Sequence, residues 1–201
     1  MNPLAVYRAL LKRYGRQRWW PVHKGRRRPG FDPIFEICIG AILTQNTSWS
    51  NVEKAIDALY EEDLLDAKSL TLVRIDKLRR LIKPARYFNQ KALKLRIFAR
   101  EVMDEAKGST ERFMREVSRD DLLGLWGIGK ETADSMLLYA GDRPEFVIDV
   151  YTKRLCVTYG VECDSYDAYK EYFTKKLPRD IRLYNEFHAL IVRWGQEKEN
   201  K

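Results

Sequence analysis

The 201-residue sequence has few cysteines, few histidines and almost no strand pattern. Cys38, Cys156 and Cys163 are odd in number and contain no close pair. That argues against a disulfide framework or a zinc site and favours a reducing, cytoplasmic setting. With only His23 and His188, the chain is not built around imidazole chemistry, and His188 is expected to be a packed, satisfied residue. The longest apolar run, around Ile34 to Leu43, is interrupted by Glu36 and is too short to cross a bilayer. Arg8, Lys12 and Arg13 break the opening stretch too early for the apolar core of a signal peptide. No internal repeat or low-complexity segment is visible. A chain of this length can bury a proper core as one domain or two small ones.

What the sequence does have is basic charge in one place. The net charge is +8. Lys12, Arg13, Arg16, Arg18, Lys24, Arg26, Arg27 and Arg28 are eight cations within residues 12–28, with no acid among them. Removing them leaves 29 basic against 29 acidic residues, so this segment accounts for the whole excess. Pro21, Gly25 and Pro29 disfavour a basic amphipathic membrane helix there. The alternatives are a solvated arm or a phosphate-binding one, and Arg26 to Arg28 are the candidate phosphate contacts. Trp19-Trp20-Pro21 lies inside the run. Two adjacent indoles cannot both face one core from a regular element, so at least one is expected to line a surface or cleft.

Helical periodicity dominates the remainder. Helices are predicted at Leu4 to Tyr14 with Gly15 as stop, and at Ile34 to Thr44 with Asp32 as cap and Pro33 in the first turn. Others are predicted at Asn51 to Tyr60, Leu70 to Ile82, Asn89 to Ala106, Val150 to Tyr159, Tyr166 to Leu177 and Ile181 to Gln196. The central stretch, DDLLGLWGIGKETADSMLLYAGDRPEFVID, reads as a short helix, a Gly127-Ile128-Gly129 turn, a second helix from Lys130, and a loop ending in one acid, Asp149. The two glycines permit backbone angles and close approaches that a side chain would forbid. A helix starting near Lys130 offers unpaired N–H groups beside cations, a terminus suited to an anion. Asp149 doubles as a candidate N-cap. About ten helices in an all-α fold are expected.

The Leu-x-Gly-Ile-Gly-x-x-Thr-Ala pattern with the later Ile-Asp resembles the helix-hairpin-helix, Gly/Pro-rich loop and aspartate of the endonuclease III (HhH-GPD) superfamily of DNA glycosylases. IGAILTQNTSW, IKPARYFNQKA and HALIVRWG extend the resemblance from about residue 30 onward. It implies a two-lobed helical fold. Residues 1–28 with 145–201 would form one lobe, and 29–144 the other, with the hairpin at 120–140. It implies a double-stranded damaged DNA partner, with one nucleotide rotated into a pocket. Carried over, Gly127, Gly129, Lys130 and Thr132 would hold a DNA phosphate, and Asp149 would face the sugar. Gln45 would fill the gap left in the stack, with Tyr87 as a second wedge.

Departures from the pattern point to a subclass. The bifunctional branch has a lysine directly before Thr-Ala, and its amine forms a Schiff base with the sugar. Glu131 stands there. Lys130 is one position earlier, roughly 100° around the helix. Base removal without strand cleavage is therefore expected. No cysteine follows Cys163, so neither the family's iron–sulfur cluster nor another cofactor or metal is expected.

Both departures, with the Trp-Trp-Pro segment and the Thr-Gln-Asn-Thr-x-aromatic motif, resemble the 3-methyladenine DNA glycosylase III branch. There Trp49 would stack on the damaged base, with Trp19, Trp20 and Pro21 as pocket wall and Glu131 beside it. Gln196 occupies the position of that branch's modified lysine, with Lys198 as a substitute. A cationic alkylated purine is already a good leaving group, and an indole face attracts it by roughly 0.5–2 kcal/mol. Two alternatives stay open: a mismatch uracil/thymine or oxidised-base glycosylase on the same scaffold, and a non-catalytic helix-hairpin-helix binding protein. A monomer, nucleoid-associated in a prokaryotic-type cytoplasm and without membrane contact, is the expected state.

Overall fold

The computed structural model describes residues 1–20 and 30–199. Pro21 and the arm residues Arg26, Arg27 and Arg28 lie outside the described residues. The described chain is all-α, with twelve α-helices and one short 3-10 turn. None of these helices is long and apolar enough to cross a membrane.

Contacts divide the chain into two compact units, residues 1–21 with 137–201 and residues 22–136. These boundaries differ from the expected 28/29 and 144/145.

The first unit contains α1 (Pro3–Tyr14), α10 (Val150–Thr158), α11 (Tyr166–Thr174) and α12 (Ile181–Glu199). Asn2 caps α1 by accepting from the amides of Leu4 and Ala5, and Gly15 ends it at φ 68°. α12 packs on both α1 and α10. Its core is aromatic: Phe146 stacks on Phe173 with centroids 4.4 Å apart and meets Tyr184 edge-on at 5.2 Å. Each such fully buried ring contributes about 1.5–3 kcal/mol by burial alone. Gly195 lets α12 approach α10 closely, since a Cβ there would lie 2.1 Å from Cδ1 of Tyr151. Beyond Gly15, the Gln17 and Arg18 amides donate to the carboxylate of Glu186 on α12. Arg13, counted among the arm cations, pairs with Glu197 at 2.6 Å.

The second unit is built round α2 (Pro33–Leu43), buried on nearly every side as its composition predicts. Asp32 caps it by accepting from the Ile34 amide at 2.9 Å and the Phe35 amide at 3.1 Å. Around it lie α3 (Trp49–Glu61), α4 (Ala67–Leu72), α5 (Ile75–Leu81), α6 (Phe88–Ala106), α7 (Thr110–Glu116) and α8 (Arg119–Gly124). The hairpin's second helix, α9 (Lys130–Tyr139), runs past residue 136, where this unit ends. Phe98 stacks on Phe35 and meets Phe113 edge-on. The buried amine of Lys91 donates to the carbonyls of Leu43 and Ala85, both at 2.7 Å. Lys91 thereby satisfies a carbonyl at the C-terminus of α2 that no helical N–H can reach.

Two expectations are corrected here. Leu70 to Ile82 is two helices, because Val73 and Arg74 are extended, with ψ of 142° and 134°. Arg96 of α6 donates to the Val73 carbonyl, satisfying the acceptor that the break leaves without a helical partner. α7 was not predicted. Gly108, at φ 87°, closes the preceding turn, and Ser109 starts α7 by accepting from the Arg112 amide.

Candidate active site

In the first unit, Asp149 is the N-cap of α10 and is only 8% exposed. Its Oδ1 accepts from the Thr152 amide at 2.7 Å, and its Oδ2 lies 3.5 Å from Nε2 of His188 on α12. Burial pushes the carboxyl's pKa up. His188 beside it and the Thr152 amide outweigh that and hold it below the ordinary aspartate value. The other imidazole nitrogen, Nδ1, is 2.5 Å from the hydroxyl of buried Tyr139. Burial, with Asp149 and Glu186 nearby, raises that phenol well above its usual value, so it stays protonated.

Both indoles of the Trp-Trp pair join this cluster. Trp19 stacks on His188 with centroids 6.1 Å apart at 10°, and Trp20 lies 5.0 Å from the Tyr139 ring. The two indoles also stack on each other at 5.9 Å, and each is half-buried. Adjacent tryptophans therefore line one wall of half-buried rings, not two separate environments. An anionic carboxylate, with one oxygen bonded to the Thr152 amide and the other facing the His188 ring, can stabilise positive charge developing on a neighbouring atom.

The second unit holds the glycine corner and the Thr-Gln-Asn-Thr motif. Gly127 has φ 88°, and a Cβ there would lie 2.5–2.6 Å from the aliphatic stem of Lys94. Gly129 differs: a Cβ there would meet no atom within 4 Å. The turn therefore needs the first glycine for its own geometry, while the second leaves open space at the start of α9. Gln45 is tied to this corner. Its Nε2 donates to the Gly127 carbonyl and to the Thr132 hydroxyl, both at 3.0 Å. Its Oε1 accepts from the Lys94 amine at 2.5 Å. Burial lowers the Lys94 pKa from its ordinary value.

Lys130 and Glu131 are exposed at the start of α9, and Thr132 is buried. Trp126, at the tip of the corner, is 55% exposed. Trp49 is half-buried as the first residue of α3. Tyr87 is 61% exposed and follows Arg86, both at positive φ (44° and 59°). A left-handed pair of bulky residues is costly and presents the Tyr87 ring outward from the start of α6.

The sequence profile described as HhH-GPD superfamily base excision DNA repair protein matches residues 39–179. The chain belongs to the HhH-GPD superfamily. It is 46% identical over 194 residues to a Methanocaldococcus jannaschii protein provisionally named a DNA repair glycosylase, covering 93% of this chain and 84% of that one. It is 27% identical over 166 residues to endonuclease III of Thermotoga maritima, covering 82% and 74%. Among solved structures, it resembles the Helicobacter pylori 3-methyladenine DNA glycosylase bound to 1,N6-ethenoadenine. The TM-score is 0.84, with 27% identity over 98% of this chain and 99% of the other. This HhH-GPD chain is thus a DNA glycosylase of base excision repair with DNA as its partner.

Three residues round these HhH-GPD motifs escaped sequence reasoning. His188, Tyr139 and Lys94 are each brought to the motifs from distant positions, and no spacing rule announces them. His188 is packed, as expected, but it is packed against Asp149. Gln196 and Lys198, the candidates for the modified-lysine position, are both exposed on α12. Among the described residues, no group of three or more His, Cys, Asp or Glu side chains is placed to hold a metal ion.

Proposed function

We propose that this glycosylase is monofunctional and removes alkylated, cationic purines such as 3-methyladenine from damaged duplex DNA, acting as a monomer. The observation that carries the reading is the cluster of Asp149, His188, Trp19 and Trp20 in one unit. It combines an ionised carboxylate with aromatic faces and offers few polar groups to read a neutral base. The name of the Helicobacter pylori relative supports the same substrate class. Glu131, where a Schiff-base lysine would be needed, supports hydrolysis without strand cleavage.

In this mechanism the damaged nucleotide is rotated out of the stack. Gly129, Lys130 and the first amides of α9 hold a backbone phosphate, using the open space at Gly129 and the helix N-terminus. Gln45 and Tyr87 enter the emptied position. Trp19 and Trp20, beside Asp149, border the base. The C1′–N bond breaks, and its electron pair moves onto the purine ring, which leaves as a neutral base. Asp149 stabilises the oxocarbenium charge left on the sugar and orients a water whose oxygen bonds to C1′. The water's proton passes to the carboxylate and on to solvent. An alkylated purine carries its own positive charge, so no general acid is needed.

The test is single-turnover base release from methylated, uracil-containing and oxidised duplexes, with strand-nicking and borohydride-trapping controls. Release of methylated purines, with no trapped adduct, is expected. Preferential release of uracil or 8-oxoguanine would replace this substrate class with the neutral-base alternative. Release of no base from any duplex would leave a binding protein.

A further inference from the structure

We propose that His188 is a positioning residue for Asp149: braced by Tyr139 on one ring nitrogen, it turns the other to the carboxylate and keeps it aimed and charged. The inference rests on the glycosylase reading above and assigns a role to a histidine that the reaction itself does not use.

The geometry leaves His188 little choice. It is 6% exposed, and Trp19 covers one face of its ring nearly in parallel. The Tyr139 hydroxyl, kept protonated by its burial, can donate to Nδ1 at 2.5 Å. That places the ring proton on Nε2, the nitrogen 3.5 Å from Oδ2 of Asp149. Nε2 is buried and has no hydrogen bond at ordinary distance, so the carboxylate is the group it faces. Oδ1 is occupied by the Thr152 amide, which leaves Oδ2 as the oxygen facing His188.

The other titratable groups near Asp149 in this unit do not substitute for His188. Tyr151 and Arg154, on the same helix, both turn to Glu199. Glu186 is engaged by the Gln17 and Arg18 amides, and Tyr166 accepts from the Ile148 amide. Burial pushes the Asp149 carboxyl upward, and His188 heads the groups that reverse the shift. Without His188, part of what opposes burial is gone, and the carboxyl should take up a proton at a higher pH.

A purely structural histidine would change stability or the overall rate but not the pH at which Asp149 titrates. The experiment therefore compares wild type with His188→Leu, His188→Gln and Tyr139→Phe. Single-turnover base release is measured as a function of pH, and the Asp149 carboxyl is titrated directly by carbon NMR. In His188→Leu the acid limb and the carboxyl titration should both move up by about one pH unit or more. His188→Gln keeps an N–H directed at the carboxylate, so its shift should be smaller. Tyr139→Phe, which frees the tautomer, should shift in the same direction and answers the question if the leucine variant does not fold. An acid limb and carboxyl titration unchanged in both His188→Leu and Tyr139→Phe would overturn the proposal. A carboxyl that shifts in a protein releasing no base would sink the glycosylase reading and leave this one standing.

Discussion

Asp149 is both a helix cap and the proposed catalytic carboxylate, and two substitutions separate the roles. Asparagine is about as good an N-cap as aspartate. Asp149→Asn can keep the 2.7 Å bond from the Thr152 amide but puts an amide in place of the charge. Alanine removes both. Loss of a cap costs about 1 kcal/mol, which in a chain of this size lowers Tm by roughly 2–4 °C. Removal of one preorganised electrostatic group from a transition state costs about 10²–10³ in rate. Both variants should therefore lose at least about a hundredfold in single-turnover base release, while binding damaged duplex as tightly as wild type. Asp149→Ala, which loses the cap as well as the charge, should melt several degrees lower than Asp149→Asn.

The stability has a pH signature as well. The carboxyl sits below its ordinary value in the fold. Its contribution is therefore present above the unfolded-state pKa and is lost as pH falls through the folded one. Asp149→Asn should lack that acid-side loss. Single-turnover kinetics, fluorescence anisotropy and thermal melts check all three. An Asp149→Asn protein within tenfold of wild-type rate would refute the catalytic assignment, however stable it proved.

Three further outcomes test the frame round the site. Gly195→Ala should destabilise by about 1–3 kcal/mol through overpacking against Tyr151. The penalty should be smaller in a Tyr151→Ala background, as a double-mutant cycle would show. Burial lowers the Lys91 pKa from 10.5 to about 8. The unfolded chain then holds more protons between those values, so folding stability should rise with pH across that window by up to about 3 kcal/mol. Denaturant titrations should find that rise missing in Lys91→Met. Neutralising Arg26, Arg27 and Arg28 should weaken binding to all sequences and flatten the salt slope, and an unchanged slope would place the arm off the DNA.

Much of the fold is legible where the signal is local. Asp32-Pro33, Gly15 and Asp149 announce helix ends by chemistry that acts within four residues, and all three do so in the structure. The Val73–Arg74 break is not legible, because a distant side chain, Arg96, satisfies the carbonyl that the break exposes. α7 had a readable start in Gly108-Ser109 but too short an apolar pattern to stand out. At the site, the glycine corner is plain from sequence, whereas the Lys94 stem packed against Gly127 is predicted by no pattern. His188 looks like an ordinary core residue because its partners, Tyr139 and Asp149, reach it only through tertiary packing. Local chemistry is thus readable along the chain, and pairings between distant elements are not.

The exposed indole of Trp126 gives the hairpin a built-in optical label. Of the five tryptophans, the other four are half-buried, so Trp126 should dominate the red edge of the emission. If a duplex settles on the glycine corner as proposed, that edge should quench or shift to the blue without any attached dye. Arrival of the backbone could then be timed separately from departure of the base, in the same cuvette.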